Sequence, residues 1–442
     1  MSPERPRLAR SLRLGDGLAV TVGIVIGAGI LRTPGLIAGY LADPWIILGV
    51  WILGGVVAAL STLVLSEMAA ALPHAGGKYV YAREAWGPVM GFTAGWSELL
   101  VTRGFSGAAK AVVIAEYLVL LTGRGSIRLL AGGVILAFAI LHFMGLRAGT
   151  LFQNVTTAIK VLVILGIAAA GLAAGDPSSF TEASGSIAGV SPTLLGFALA
   201  YQAVAFAYYG WEDASKMSEE MKEPGRTLPR VLLGGVAAVA VLYLLINVAF
   251  LFALSPAEMA GSELVAKDAI AEVFGGAAGK VVLVASLLIL VSSANVNFLG
   301  LPRVAFGLAR DGLAPKAFSK VNARGTPAHA LTFISLVILA LALTGALEFL
   351  INFMMLVAIS VDTMVLLGYF RLRALRPDLE RPFRVPGHPW IPALTVVLYV
   401  AILAILVGTQ PELALGGALM IGGLVLTGWL TSRARGDDPG VA

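Results

Sequence analysis

The stretch Val22-Gly23-Ile24-Val25-Ile26-Gly27-Ala28-Gly29-Ile30-Leu31 places three glycines inside the first long hydrophobic run of the chain, over about residues 14–40. A glycine costs a helix about 1 kcal/mol relative to alanine, and backbone that leaves the helix at membrane depth is tolerated only where it lines a cavity. The sequence therefore predicts a break near the middle of a membrane span. One half-helix end would expose N–H groups and the other C=O groups, a pair that suits a zwitterion.

The composition is that of a polytopic helical membrane protein. Hydrophobic residues make up 58% of the 442 residues, charged residues 13%, and the mean hydropathy is +0.88, whereas soluble domains carry about 25% charged residues. There is no cysteine, which excludes disulfides, thiolate metal sites and cysteine nucleophiles. We find no phosphate loop, nucleotide fingerprint or catalytic triad. We therefore expect no enzyme activity, no cofactor, no metal and no nucleic-acid partner.

Hydropathy predicts twelve membrane spans. They lie at about 14–40, 44–71, 86–121, 127–144, 151–174, 193–215, 229–254, 279–303, 328–344, 348–370, 391–408 and 413–432. Most of the 31 lysine and arginine residues fall in one set of loops and in the two tails. By the positive-inside rule, the tails at 1–13 and 433–442 are then cytoplasmic, and the chain is a multi-pass protein of the cell (inner) membrane.

A second interrupted span follows five helices after the first. Its centre reads Phe206-Ala207-Tyr208-Tyr209-Gly210-Trp211-Glu212-Asp213, where aromatic and polar residues replace aliphatic ones. Breaks in spans one and six favour two inverted five-helix repeats. We place the repeats at 14–174 and 193–370, with helices 11 and 12 at 391–432.

Lys160 is the most informative single residue. It lies roughly 14 Å deep in the fifth span, with no carboxylate within a turn or two. A bare ammonium at that depth costs several kcal/mol, so it must face a cavity and find partners. Candidate partners are the backbone carbonyls freed by the first break and the hydroxyls of Ser292 or Ser293. Lys160 either takes the place of a sodium ion and braces the broken helix, or is a static structural lysine.

Two acidic residues follow the second break. Glu212 is a candidate gate or proton-sensing carboxylate, and Asp213 a weaker one. The alternatives are a solvated helix start, or a partnership with Lys216, four residues after Glu212.

Four further charges fall inside spans, and their roles stay open. Glu98 and Arg103 are five residues apart, so we expect that they do not face each other on one helix, whereas Arg103 and Lys110 share a face. Structural pairing with neighbouring helices is the simplest interpretation. Arg32 could raise the positive potential near a substrate carboxylate, or lie in an outer vestibule.

The chain resembles the amino acid–polyamine–organocation superfamily, and within it the L-type amino acid transporter branch and its bacterial relatives. The segments that carry the resemblance are Gly27–Leu31, Ser66–Met68, Leu72–Tyr81, Glu98–Arg103, Phe206–Trp211, Glu219–Pro224 and Arg303–Pro315. They cover most of spans one to eight, and spans nine to twelve match only in general character.

The resemblance implies a bacterial leucine-transporter-type fold, with five-plus-five inverted repeats, two trailing helices, unwound helices 1 and 6, and rocking alternating access. It implies that backbone N–H groups bind the substrate carboxylate at Gly27, Ala28 and Gly29. It implies that carbonyls receive the ammonium at Val25, Ile26, Phe206 and Ala207. Phe206 would be the aromatic lid, Lys160 would replace sodium, and Ser293 would be its hydroxyl partner.

Several positions depart from the family pattern. Ala28 stands in place of the usual serine, and Tyr209 in place of a small residue, which indicates a smaller pocket. Val101 occupies a position where cationic-substrate relatives tend to have glutamate, which favours neutral substrates. Without cysteine, the disulfide that tethers animal relatives to an ancillary glycoprotein cannot form. We expect the chain to work alone in the lipid bilayer, and its oligomeric state, monomer or larger, stays open.

These observations predict a sodium-independent secondary transporter of small or medium neutral L-amino acids, by exchange or by proton coupling. One alternative is a cationic amino acid or polyamine permease of the same fold. Another is a membrane amino-acid sensor that does not transport, and the short tails argue against it.

Overall fold

The computed structural model describes residues 10–176, 193–344 and 347–434, and this part of the chain is nearly all helical. The α-helices are α1 (Leu14–Val25), α2 (Ala28–Leu41), α3 (Pro44–Ala71), α4 (Lys78–Trp86), α5 (Pro88–Ser97), α6 (Arg103–Thr122), α7 (Ile127–Phe143), α8 (Leu146–Ala174), α9 (Leu194–Tyr208), α10 (Pro224–Ala253), α11 (Pro256–Ala260), α12 (Val265–Phe274), α13 (Gly276–Arg310), α14 (Ala328–Ala342), α15 (Leu347–Leu375), α16 (Trp390–Thr409) and α17 (Pro411–Ala434). A π-helix, Glu98–Thr102, joins α5 to α6, and 3₁₀ helices lie at Asp213–Glu220 and Lys316–Ser319.

Among the described residues, eight helical segments are long and apolar enough to cross a membrane. They are Pro44–Ala71, Pro88–Thr122, Ala148–Ala174, Pro224–Ala253, Gly276–Arg310, Phe349–Leu375, Trp390–Thr409 and Pro411–Arg433. The helices α1, α7 and α14 are shorter apolar helices. The chain is therefore a multi-pass membrane protein, while the count of twelve spans and the inverted repeat stay predictions.

The first predicted span consists of two helices. α1 ends at Val25 and α2 begins at Ala28. Close packing explains the glycines here, because a Cβ on Gly27 would lie 2.4 Å from Ser293 Oγ, and one on Gly29 would lie 2.5 Å from Ala207 Cα. The glycines thus let α13 and α9 approach the break.

The sixth predicted span, 193–215, is a helix over only part of that range. α9 begins after Thr193, whose side chain accepts a hydrogen bond from the Gly196 N–H, and it ends at Tyr208. Tyr209 is extended, and Gly210 has a φ of +113°, a left-handed conformation that glycine adopts without strain. The chain then continues as turns and a 3₁₀ helix, and the α-helix does not resume before α10.

The segment after this 3₁₀ helix is tied to the N-terminal side of the bundle. Leu12 donates its N–H to the carbonyl of Glu220 at 2.9 Å and accepts from the N–H of Lys222 at 2.9 Å. The end of the second interrupted segment therefore lies on the same side as the start of α1.

Candidate functional site

The four carbonyls at the end of α1 are bonded by side chains from three other helices. A helix C-terminus leaves four C=O groups without an intrahelical partner. Here Lys160 Nζ of α8, fully buried, donates to the carbonyls of Gly23 at 2.7 Å and Ile26 at 2.8 Å. The remaining two bonds come from Ser293 Oγ of α13 to Ile24 O at 2.9 Å, and from Tyr243 of α10 to Val25 O at 2.7 Å.

The expected link from Lys160 to the broken helix is thus present in the structure. Ser293 braces the same break by donating its hydroxyl to the Ile24 carbonyl, and not by accepting a hydrogen bond from the Lys160 ammonium. The other candidate, Ser292, accepts a hydrogen bond from Thr156 at 2.9 Å.

Tyr243 also connects the two interrupted segments, because its hydroxyl lies 3.1 Å from the carbonyl of Ala207. The carbonyl of Phe206 accepts from the N–H of Tyr209 at 3.1 Å. Of the four carbonyls that the resemblance assigns to a substrate ammonium, those of Val25, Ile26 and Phe206 therefore already accept a protein hydrogen bond, and that of Ala207 shares the single Tyr243 hydroxyl hydrogen with Val25 at a longer distance. Each keeps a second lone pair, so an ammonium would share these oxygens. Sequence reasoning missed Tyr243, which sits in an apolar helix with no pattern to mark it.

Two cavities meet at Phe206. A small one of about 20 Å³ lies against the break and is lined by Val25, Gly27, Gly29, Phe206, Tyr209 and Ser293 among others. A larger one of about 700 Å³ is bounded by α2, α6, α9 and α15, and reaches the loop at Gln410. Phe206 and Lys110 line both. The small cavity has room for about one water molecule, so the predicted substrate position is closed, with Phe206 between it and the larger cavity.

The predicted site residues thus fall into two groups. Backbone at Val25, Gly27 and Gly29 and the side chains of Phe206 and Tyr209 surround the small cavity, whereas Ile26 and Ala207 take part through the carbonyl bonds above. Ala28 contributes the first residue of α2. The side chains of Ala28 and Arg32 lie outside what the structure describes.

A buried ionic cluster includes residues of the 3₁₀ helix Asp213–Glu220, whose last residue is bonded to Leu12, so the cluster lies towards the start of α1. It joins three cations to four carboxylates through ion pairs that are almost fully buried. Its members are Lys78, Arg103, Lys216, Glu98, Glu212, Asp213 and Asp362. They come from α4, the π-helix, α6, the segment after α9, and α15, so the cluster holds five elements together on that side.

The π-helix corrects the prediction that Glu98 and Arg103 do not face each other. Arg103 Nε donates to Glu98 Oε1 at 3.1 Å, although five residues separate them. An α-helix points such residues in different directions, but a π-helix bonds each residue to the fifth one along. The extra residue in Glu98–Thr102 therefore brings the two charges together.

Glu212 and Asp213 are buried, so the alternative of a solvated helix start is wrong. Glu212 pairs with Lys78 at 2.9 Å and with Arg103 at 2.6 Å. Asp213 forms an ion pair with Lys216, the lysine that the sequence analysis named as a candidate partner. It forms a second ion pair with Arg103 at 2.6 Å.

Lys78 and Asp362 were missed as site residues. Lys78 Nζ lies 2.6 Å from Asp362 Oδ1 and 3.0 Å from the hydroxyl of Tyr209. Asp362 is a carboxylate inside an apolar span, and it could have been recognised from the sequence as a candidate site residue. Burial opposes the charged form of Lys78, but the carboxylates of Asp362 and Glu212 hold its pKa well above the ordinary value. Lys78 therefore stays protonated through the physiological range.

Comparison with known proteins decides the family. A family model described as amino acid permease matches residues 16–428. The chain belongs to the amino acid permease family. This permease is 29% identical to the serine/threonine exchanger SteT of Bacillus subtilis over 405 residues, which cover 90% of this chain and 91% of SteT.

Animal transporters are similar as well. The permease is 28% identical over 408 residues to the mouse b(0,+)-type amino acid transporter 1, covering 88% of this chain and 81% of the relative. It is 27% identical over 432 residues to the human Asc-type amino acid transporter 1, covering 95% and 81%. These relatives are amino acid transporters, so the amino-acid-transport assignment is shown at the level of the family.

Proposed function

We propose that this permease is a sodium-independent secondary transporter of small or medium neutral L-amino acids that works by alternating access. The bonding of Lys160 to the carbonyls of Gly23 and Ile26 is the observation that carries the proposal. Carbonyls of an unwound membrane helix are the groups that coordinate a coupling sodium ion in transporters with broken helices. Here an ammonium of the protein occupies them.

The substrate carboxylate would bind at the start of α2. The first N–H groups of a helix have no intrahelical acceptor and carry a partial positive charge. In this permease they belong to the Gly27–Gly29 stretch, which lines the small cavity. The substrate ammonium would share the carbonyls at Val25 and Ala207 with Tyr243, and Phe206 would close over the bound molecule.

Alternating access needs a barrier on one side of the site and an opening on the other. The ionic cluster supplies the barrier on the N-terminal side, and the cavity of about 700 Å³ supplies the opening on the opposite side. With cytoplasmic tails, as charge distribution indicates, this arrangement is the state closed to the cytoplasm. We assign Glu212 to the gate, because it links Lys78 to Arg103 across the cluster.

The twelve-helix organisation belongs to the same proposal. The two inverted repeats would span 14–174 and 193–370, with two trailing helices at 391–432. The break between α1 and α2 and the end of α9 at Tyr208 lie at corresponding positions of the two halves, which supports the repeat. The absence of cysteine means that no disulfide joins this chain to an ancillary subunit.

Exchange is the mode that we favour over proton symport, since one relative bears the name of an exchanger. Cationic amino acids and polyamines fit less well. A polyamine has no carboxylate for the start of α2, and the cavity wall carries a lysine, Lys110.

The test is uptake of labelled alanine into proteoliposomes, with and without internal alanine, in sodium and in choline buffers. We expect wild-type uptake in both buffers, and stimulation by internal substrate if the mode is exchange. Lys160→Ala should lose nearly all uptake while the protein remains folded, and Lys320→Ala, which removes an exposed lysine, should not. Normal uptake by Lys160→Ala, or a strict need for sodium, would refute the proposal.

A further inference from the structure

Lys110 is a buried cation that the proposed mechanism does not use. It lies on α6, two turns after Arg103, and the residue is 6% exposed. Its ammonium makes one long hydrogen bond, of 3.4 Å, to the backbone carbonyl of Ser293. Among the described residues no carboxylate forms an ion pair with it, in contrast to Arg103, which has three. An ammonium has three donors, so most of its bonding capacity is left for another acceptor.

The position of Lys110 indicates where that acceptor comes from. Lys110 is a wall residue of both the small cavity at the break and the larger cavity beyond Phe206. The carbonyl that it touches belongs to Ser293, whose hydroxyl braces the end of α1 through Ile24. The ammonium is therefore at the level of the break, beside the place that the substrate would occupy.

A substrate that uses the break for its backbone groups must direct its side chain to the rest of the cavity wall. Apart from the break itself, that wall is formed mainly by Ser106, Lys110, Phe206, Tyr209 and Met354. Arg103 also reaches it, but three carboxylates already pair with that guanidinium. Ser106 and Tyr209 also carry hydroxyl donors, but Lys110 is the cationic side chain on this wall that forms no ion pair among the described residues. Because Lys110 lies at the level of the break, a short side chain is enough to reach its ammonium.

We propose that Lys110 is a specificity-determining residue whose ammonium binds an acceptor oxygen on the substrate side chain. The permease then prefers short, oxygen-bearing side chains, hydroxyl or carboxylate, over aliphatic ones of the same size, and it rejects short cationic ones. This inference rests on the proposed function and extends its substrate class from neutral to acidic amino acids.

Two matched pairs of competitors test the preference in the wild-type protein, with counterflow of labelled alanine as the assay. Serine and 2-aminobutyrate differ by a hydroxyl against a methyl group, and aspartate and 2,4-diaminobutyrate are similar in size but opposite in charge. A hydrogen bond to a charged group changes an affinity by on the order of ten-fold or more. We expect serine and aspartate to compete at least about ten-fold better than their partners.

The variants Lys110→Met and Lys110→Arg assign the preference to this residue. Methionine is similarly long and unbranched but has no donor, so both competitor ratios, measured against the alanine counterflow that the variant retains, should fall to near one. Arginine keeps the charge and should keep the preference for aspartate. Equal competition within each pair in the wild type would overturn the inference even if Lys110→Met does not fold. Ratios unchanged in Lys110→Met, or an equal loss for alanine and aspartate, would also overturn it. No alanine counterflow by the wild type would instead refute the proposed function, and the inference with it.

Discussion

Removing Lys78 should open the side of the permease that the ionic cluster closes. Lys78 is the only partner of Asp362 in the described part of the chain, at 2.6 Å, and it also pairs with Glu212 at 2.9 Å. Its side chain is 5% exposed. With Lys78→Met, two cations face four carboxylates in a buried space. Breaking a buried ion pair by removing one partner costs about 3–5 kcal/mol. The cost falls on the closed state, because the stranded carboxylates reach water when the gate opens.

The expected change in population is large. A shift of about 3 kcal/mol changes the equilibrium between the two states by a factor of roughly 150. Starting from equal populations, the state with the large cavity open would then fall to under about 1%. Access to that cavity should decrease roughly 80-fold, and access from the cluster side should rise.

The absence of cysteine makes the assay direct, because a single introduced thiol is the only one in the chain. Ala203 lines the large cavity, so Ala203→Cys reports on its accessibility. The alkylation rate would be measured with an impermeant thiol reagent in oriented proteoliposomes, with and without Lys78→Met. Arg376→Met is the matched control, since Arg376 is 46% exposed and lies 3.5 Å from its partner Glu84. Exposed pairs contribute at most about 1 kcal/mol. A rate within two-fold of the parent in Lys78→Met would refute the gate.

Three substitutions at the break should separate close packing from hydrogen bonding. Gly29→Ala places a Cβ 2.5 Å from the Cα of Ala207, which cannot move without moving α9, whereas the Cβ of Gly27→Ala meets a serine side chain first. Overpacking costs about 1–3 kcal/mol, so alanine uptake should fall further in Gly29→Ala than in Gly27→Ala, and the reverse order would contradict the packing argument. Tyr243→Phe removes one hydroxyl from two carbonyls, Val25 O and Ala207 O, and should lower the stability by about 1–3 kcal/mol, measured by thermal unfolding in detergent. An unchanged melting temperature would contradict that role.

Gly15→Ala is the control for the glycine variants. A Cβ on Gly15 meets nothing within 4 Å, and the residue lies in the first turn of α1. Alanine uptake by the Gly15→Ala variant should equal that of the wild type. A loss of uptake in this variant would mean that an added methyl group disturbs the helix in general, and that the contact with α9 is not the cause.

The sequence was most informative where a membrane leaves few alternatives. A lysine deep in an apolar span has to find acceptors, and the glycine-rich stretch at Gly27 was the place that could free them. The partnership of Lys160 with the carbonyls of Gly23 and Ile26 could therefore be predicted from the sequence alone. The residue types of Lys160 and of the glycine-rich stretch, together with the depth of both in their spans, were enough for this prediction.

Contacts that depend on the helical period could not be predicted in this way. The pairing of Glu98 with Arg103 requires one extra residue per turn, and hydropathy does not register a π-helix because the segment stays equally apolar.

The pairing of Lys78 with Asp362 joins residues 284 positions apart. Only the packing of α4 against α15 brings them together, although the aspartate alone marked its span as unusual.

The bonding of the break supports the proposal that this permease transports its substrate without sodium. A cation site at an interrupted helix needs several carbonyl oxygens that converge without protein donors. Here the carbonyls of Gly23 and Ile26 meet the ammonium of Lys160, and those of Ile24 and Val25 meet hydroxyl groups. A sodium ion would have to displace donors held by three different helices. The first N–H groups of α2 have no intrahelical acceptor, which supports the proposal that they bind the substrate carboxylate while the carbonyls of α1 are already held by side chains of the protein.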